Sequence, residues 1–169
     1  VLFEAMHTGH SVYATVHADS INETIQRLVN PPIEVPSNLL KAVNLNVVMF
    51  RDRRRSIRRI YQIGEFVTTE GSGKSTVKPN LLYRWKPSTD KIIFHGKSVR
   101  LFEELSRHTG MSQSEINNDL KTKTNILNYM VKNKIRDINA VGKIISDYSL
   151  DRESLISSVN KNIKPGKVI

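Results

Sequence analysis

The sequence predicts an α/β fold that carries a β-hairpin and ends in a helical C-terminal appendage. Three observations predict it. A short apolar run over residues 12–16 leads directly into a capped helix, strand-forming runs follow over residues 45–50 and 57–66, and from residue 99 onward the pattern is helical. Such alternation of a strand, a helix and further strands is the signature of a layered α/β core.

Each element has a local cause. Glu4-Ala5-Met6-His7 reads as the last turn of a helix that Thr8-Gly9 stops, because glycine tolerates the left-handed cap. Val12-Tyr13-Ala14-Thr15-Val16 is short, apolar and β-branched, as expected of a strand buried on both faces. Ser20-Ile21-Asn22-Glu23 is a capping box, so a helix is predicted from there to about Asn30, where Pro31-Pro32 ends it. Ser37 is placed to cap a short helix over 38–43. The strands over 45–50 and 57–66 are joined by a turn at 51–56, and the Gly/Ser/Thr-rich stretch 67–79 reads as a loop. Residues 81–85 and 91–94 flank Pro87-Ser88-Thr89-Asp90, which is turn chemistry, and so predict a hairpin. A helix over 99–108 is stopped by Gly110, and the box Ser112-Gln113-Ser114-Glu115 opens a long helix to Lys132 with Ile116, Leu120, Leu127, Met130 and Val131 on its apolar face. Asp137 and Asp151 cap two further helices, and residues 164–169 are expected to fray.

Thr8-Gly9-His10, Ala14-Thr15-Val16-His17-Ala18-Asp19-Ser20 and Thr24-Ile25-Gln26-Arg27-Leu28 together resemble the histidine-box region of the type II/type IV secretion ATPases, the hexameric motors of type II secretion, type IV pili and the archaellum. The resemblance covers residues 2–64 and continues more loosely to 149, with the archaeal secretion, pilus and archaellum branch closest. It implies the C-terminal part of a RecA-like ATPase core over residues 1–66, a loop and hairpin over 67–97 and a helical appendage over 98–163. It also implies that the chain is a C-terminal piece of a larger motor, starting after the Walker B strand. ATP and Mg2+ would then be bound mainly by the preceding ATPase half. A homo-hexamer, a membrane platform protein as partner, and a cytoplasmic location peripheral to the inner face of the membrane follow from the same resemblance.

Composition bounds these expectations. In 169 residues, 38% are hydrophobic and 25% charged, which fits one ordinary globular domain or a small one with an appendage. No apolar run approaches the ~20 residues of a membrane span, and no signal-peptide pattern is visible. The absence of cysteine excludes disulfides, thiolate metal sites and the tetracysteine zinc module of some bacterial motors. A net charge of +10 points to an anionic partner, or to compensation by an acidic remainder of a longer chain.

The candidate chemistry is concentrated near residue 17. His17 is expected at the carboxyl end of a strand beside the N-terminus of a helix, where anionic ligands sit in open α/β sheets. Thr15 falls on the same strand face as His17, because strand side chains alternate. The resemblance implies that His17 contacts or senses the γ-phosphate region, and a neutral imidazole donates a hydrogen bond there without burying a full charge. His10, Thr15, Asp19, Arg27 and Arg51 are the further candidates for nucleotide or subunit-boundary contacts. Asp19 is alternatively a helix cap and Arg27 alternatively a surface ion pair. His7, His10, His17 and Asp19 lack metal-site spacing, so no metal is predicted.

The run 51–59 holds the densest positive charge. The resemblance implies that a strand-end arginine, Arg51 fitting best, lies near the nucleotide or subunit boundary. The residues alone read as a phosphate footprint for nucleic acid or as a solvated turn, the latter preferred for Arg53, Arg54 and Arg55, and no aromatic residue interleaves the run, which weakens single-strand binding. Gly71-Ser72-Gly73-Lys74-Ser75-Thr76 mimics the end of a Walker A loop, but its leading glycine falls at Thr68 and Pro79 stands where a helix should open. It is read as a coincidence, so this chain alone is expected not to hydrolyse ATP. The alternative function is a non-enzymatic, basic, winged-helix-like module that binds nucleic acid.

Overall fold

The computed structural model describes residues 2–71 and 74–163. The chain forms two compact units, residues 1–105 and 106–169, and the helix Leu101–Thr109 runs across the division.

The first unit is mixed α/β. Helix α1 (Leu2–His7) is closed by Gly9 at φ +88, with the His10 amide donating to the Ala5 carbonyl at 3.1 Å in the manner of a Schellman cap. Helix α2 (Ile21–Val29) starts at Ser20, whose hydroxyl accepts the Glu23 amide at 3.1 Å. A 3₁₀ turn (Ser37–Ala42) follows, without a side-chain cap from Ser37. Then come β1 (Asn46–Asp52), β2 (Ile57–Gly71), β3 (Lys74–Lys86) and β4 (Lys91–Phe94), all antiparallel in the order β1-β2-β3-β4. Ile21, Ile25 and Leu28 form one stripe of α2 and bury against Val48, Phe66, Val35 and Leu40. That spacing of four and three residues is the reason a nine-residue helix finds a stable place on the sheet.

Two expectations are overturned here. The strand predicted over residues 12–16 does not form: residues 11–18 have no regular secondary structure and no ladder partner among the described residues, and Tyr13 is 99% exposed. A strand buried on both faces needs a neighbour and two covering layers, and no described element supplies them. The loop predicted over 67–79 is instead a long two-stranded arm of β2 and β3. β-branched residues meet across it, Thr68 opposite Val77 and Thr69 opposite Thr76, and such pairs favour strands whatever their polarity. Pro79 is tolerated opposite Phe66 because β4 reaches only residues 83–86 of β3, so Pro79 lies where β3 is an edge. In the Walker-like run, Ser72 and Gly73 lie outside the described residues; the following lysine begins a strand, not the helix that a phosphate loop requires.

The second unit packs α4 (Gln113–Lys132), α5 (Ile138–Leu150) and α6 (Arg152–Asn160) around Ile126, Tyr129, Met130 and Ile144. The predicted caps are present: Ser112 and Glu115 form a reciprocal box, Asp137 accepts the Asn139 and Ala140 amides at 3.0 Å, and Asp151 accepts the Ser154 amide. The buried stripe of α4 is rotated from the predicted one, leaving Leu120, Leu127 and Val131 exposed. Helix α4 carries two apolar stripes, and the return path of α5 and α6 decides which is covered. Asp119 ties the helices by accepting from Tyr148 Oη at 2.5 Å and pairing with Lys123 and Arg152 at 2.7 and 2.8 Å. Burial and then the Asp119 carboxylate push the Tyr148 phenol up to about 12.

At Gly64, α2 comes close to the backbone of the sheet. A Cβ there would stand 2.5 Å from Ile21 Cδ1 and 2.6 Å from the Asn80 carbonyl oxygen, and the latter is backbone that cannot swing aside. Gly64→Ala is therefore expected to destabilise the first unit by about 1–3 kcal/mol through overpacking, read as a lowered urea midpoint; an unchanged midpoint would show that the sheet yields there.

Candidate functional site

The residues singled out in the sequence occupy separate places. His10 closes α1, its Nδ1 lying 3.2 Å from the Ala5 carbonyl and 3.1 Å from Thr8 Oγ1. Thr15 and His17 are exposed on the irregular segment before α2. Asp19 does not cap α2; Ser20 does, and the Asp19 amide donates to Glu23 Oε2 at 2.8 Å. Arg27 pairs with Glu23 at 2.8 Å on the exposed side of α2, the surface ion pair expected of an i, i+4 spacing and worth little. Arg51 is exposed on β1 opposite Arg58. Only Asp19 and Arg27 are joined, through Glu23, among the described residues.

The start of α2 was the expected anion site, and its amides are largely engaged. Ile21 N donates to Gln62 Oε1 at 3.0 Å, Glu23 N to Ser20 Oγ, and Thr24 N to the Ser20 carbonyl at 2.9 Å. A phosphate cradle needs several amides aimed at one point. The described residues do not make one here, so ATP and magnesium do not fit a site formed by these residues alone. Among the described residues, no group of three His, Cys, Asp or Glu side chains is placed to hold a metal ion.

The most elaborate polar constellation was not legible in the sequence. Glu65, on β2, has 0% exposure. Its carboxylate accepts from Asn80 Nδ2 at 2.8 Å, Ser98 Oγ at 2.9 Å and the amides of Val99 at 2.5 Å and Leu101 at 3.2 Å. It thus caps the N-terminus of α3 (Leu101–Thr109) from a distant strand. Arg100 beside it donates Nη1 to the Phe66 carbonyl at 2.8 Å and Nη2 to Glu104 at 2.6 Å and to the Lys41 carbonyl. Burial pushes the Glu65 carboxyl up, yet the hydrogen bonds from Val99, Asn80, Ser98 and Leu101 outweigh it, and the group ends below its ordinary value. The sequence holds one clue, an acid within the apolar strand Ile63-Gly64-Glu65-Phe66. Every partner of this carboxylate is at least 15 residues away.

A second constellation lies where the β1–β2 and β3–β4 turns meet. Arg59 holds Asp90 with two bonds of 2.7 Å, and Trp85 Nε1 donates to the same carboxylate at 2.8 Å. Arg59 and then Trp85 pull the Asp90 carboxyl down to about 2. Phe50 stacks against Trp85 with ring centroids 5.2 Å apart, and Arg84 lies over Tyr61 at 5.4 Å.

These features define a small mixed α/β module, a four-stranded antiparallel sheet with a helix on it, joined to a helical unit. No protein-family model matches the chain. It is similar to three proteins of Methanocaldococcus jannaschii. Uncharacterized protein MJ0781 is 34% identical over 147 residues, covering 86% of this chain and 20% of the relative. Uncharacterized protein MJ0900 is 34% identical over 154 residues, covering 86% and 27%, and uncharacterized protein MJ1287 is 30% identical over 136 residues, covering 79% and 50%. The chain thus spans between a fifth and a half of the length of these curated relatives.

Glu65→Gln is expected to cost about 2–4 kcal/mol, since an amide cannot accept from all these donors and leaves buried N–H groups unpaired. The folded pKa of Glu65 lies below its unfolded value, so its contribution is complete above the unfolded pKa and fades as pH falls through the folded one. The difference in denaturant midpoint between wild type and Glu65→Gln should therefore shrink on acidification below the ordinary carboxylate range; a pH-independent difference would contradict it.

Proposed function

We propose that this chain is the C-terminal portion of a hexameric ATPase that powers protein secretion or the assembly of a type IV pilus or archaellum-like filament. In this proposal it supplies the histidine box, the closing strands of a RecA-like core, and contacts to neighbouring subunits and a membrane platform protein. ATP and Mg2+ belong to an ATPase half elsewhere in a longer protein, and the protein works in the cytoplasm at the inner face of the membrane.

One observation carries the proposal. The apolar segment 12–16 is irregular, exposed from Tyr13 on and without a ladder partner among the described residues, and it runs into α2, which packs on the sheet ahead of β1. A strand, a packed helix and a second strand are the parts of a crossover unit. In such a unit the segment 12–16 and the free edge of β1 would both be completed by strands of a larger sheet, and His17 would stand at the carboxyl end of that sheet. The motifs Thr8-Gly9-His10 and Thr15-Val16-His17-Ala18-Asp19-Ser20 support the same assignment, and the greater length of the relatives leaves room for an ATPase half. No helix of the described residues is long and apolar enough to cross a membrane, which is compatible with peripheral attachment.

The test is ATP hydrolysis by the longer protein encoded when the upstream reading frame is included. His17→Ala should slow turnover about 10- to 100-fold, the range for losing one hydrogen bond to a charged oxygen, while the 169-residue chain alone hydrolyses nothing. Full activity in His17→Ala, or an upstream frame without Walker A and Walker B sequences, would end the proposal.

A further inference from the structure

Helix α4 carries two apolar stripes and spends one of them on its own unit. Ile126, Tyr129 and Met130 are buried against α5 and α6. The other stripe is left open: Leu120, Leu127 and Val131 are 45%, 60% and 78% exposed. With Thr124 between them, these residues follow one another at intervals of four, three and four. On a helix of roughly 3.6 residues per turn that spacing keeps side chains in one line, and it is the spacing at which a second helix interlocks with the first. Thr124 fits such a seam, because its hydroxyl already donates to the Leu120 carbonyl at 2.8 Å and brings no unpaired donor. Asn117, one step earlier on the same line, is polar and exposed, and it sets the start of the apolar stretch at Leu120.

Charge says what covers this stripe. The helical period places Lys121 and Lys132 along one side of it and Lys123 along the other. Lys121 and Lys132 are exposed, and among the described residues neither has an ion-pair partner. The two acids of α4 are both engaged elsewhere. Glu115 closes the capping box with Ser112, and Asp119 holds Tyr148, Lys123 and Arg152. The open side of α4 is thus an apolar line between lysines, with no carboxylate of its own helix to neutralise them. A second copy of the chain would set lysines against lysines along this line, and like charges at such positions repel. A helix with glutamates or aspartates beside its apolar stripe meets both demands at once, since flanking charges of opposite sign set partner choice in paired helices.

We propose that the open stripe of α4 docks an acidic amphipathic helix of another protein, with apolar side chains of that helix against Leu120, Leu127 and Val131 and its carboxylates against Lys121 and Lys132. The site does not depend on the motor proposal, and either can fail without the other.

The experiment is fluorescence anisotropy of a labelled helical peptide of about three heptads, with leucine at the seam positions and glutamate beside them, titrated with the full chain. The repulsion among its glutamates keeps the peptide from pairing with itself. A control peptide carries lysine in place of glutamate. The glutamate peptide should bind in the range of about 1–100 μM, as a small contact does, and the lysine peptide at least about 10-fold more weakly. Leu127→Gln should weaken binding of the glutamate peptide about 10- to 100-fold, the loss of burying roughly one leucine side chain. Lys121→Glu with Lys132→Glu should invert the preference, so that the lysine peptide binds better. These side chains are exposed, so the variants keep the fold, which circular dichroism checks; Val131→Gln is read in the same way should Leu127→Gln lose helix. No binding of the glutamate peptide at low salt overturns the proposal. Binding that neither Leu127→Gln nor the charge reversal alters overturns it too, since the peptide is then held elsewhere on a chain of net charge +10. Self-association of the chain that Leu127→Gln abolishes would assign the stripe to a second copy. Capture by phosphatidylglycerol vesicles that the same variant abolishes, without peptide binding, would assign it to a membrane surface, and either result overturns the proposal.

Discussion

Glu65 is a carboxylate with no exposed surface, and the first unit is arranged around keeping it satisfied. An ionised acid in an apolar interior costs several kcal/mol unless donors replace its hydration. Here the donors come from β3, from the chain just before α3 and from the first amides of α3 itself. A helix N-terminus presents unpaired amides and partial positive charge, so one group on β2 satisfies the helix and is satisfied by it. The acid fixes where α3 begins, and Arg100 then fastens that beginning to Phe66, Lys41 and Glu104.

The opposite face of the same strand positions α2. Gly64 lets Ile21 approach the backbone closely, Phe66 joins the apolar cluster, and Gln62 accepts the first amide of the helix. Residues 62–66 of β2 therefore hold a helix start on each side. The consequence for function is direct: α2 is rigidly seated, while the segment that leads into it through His17 is exposed and has no ladder partner among the described residues.

The turn-bearing end of the sheet shows the opposite economy. There the few acids are spent on holding the turns, and the surrounding cations are left to solvent. Such a surface is tolerated because water and salt screen exposed charge, and it gains energy as soon as a polyanion displaces the counterions.

What the sequence determined by itself is whatever is decided within about four residues. The Ser20, Ser112, Asp137 and Asp151 caps, the Gly9 stop and the turn at 87–90 all follow from side chains meeting their own backbone. The runs Thr8-Gly9-His10 and Thr15-Val16-His17-Ala18-Asp19-Ser20, on which the resemblance rests, are likewise local. The tertiary structure alone decided that residues 67–79 pair, since a threonine-rich run is a strand only when another lies opposite. It decided which stripe of α4 is buried, and that residues 12–16 lie open. It also brought Glu65 to Asn80 and α3, Trp85 to Phe50 and Asp90 to Arg59, because these contacts join residues 15 to 36 positions apart and each needs the strands already paired.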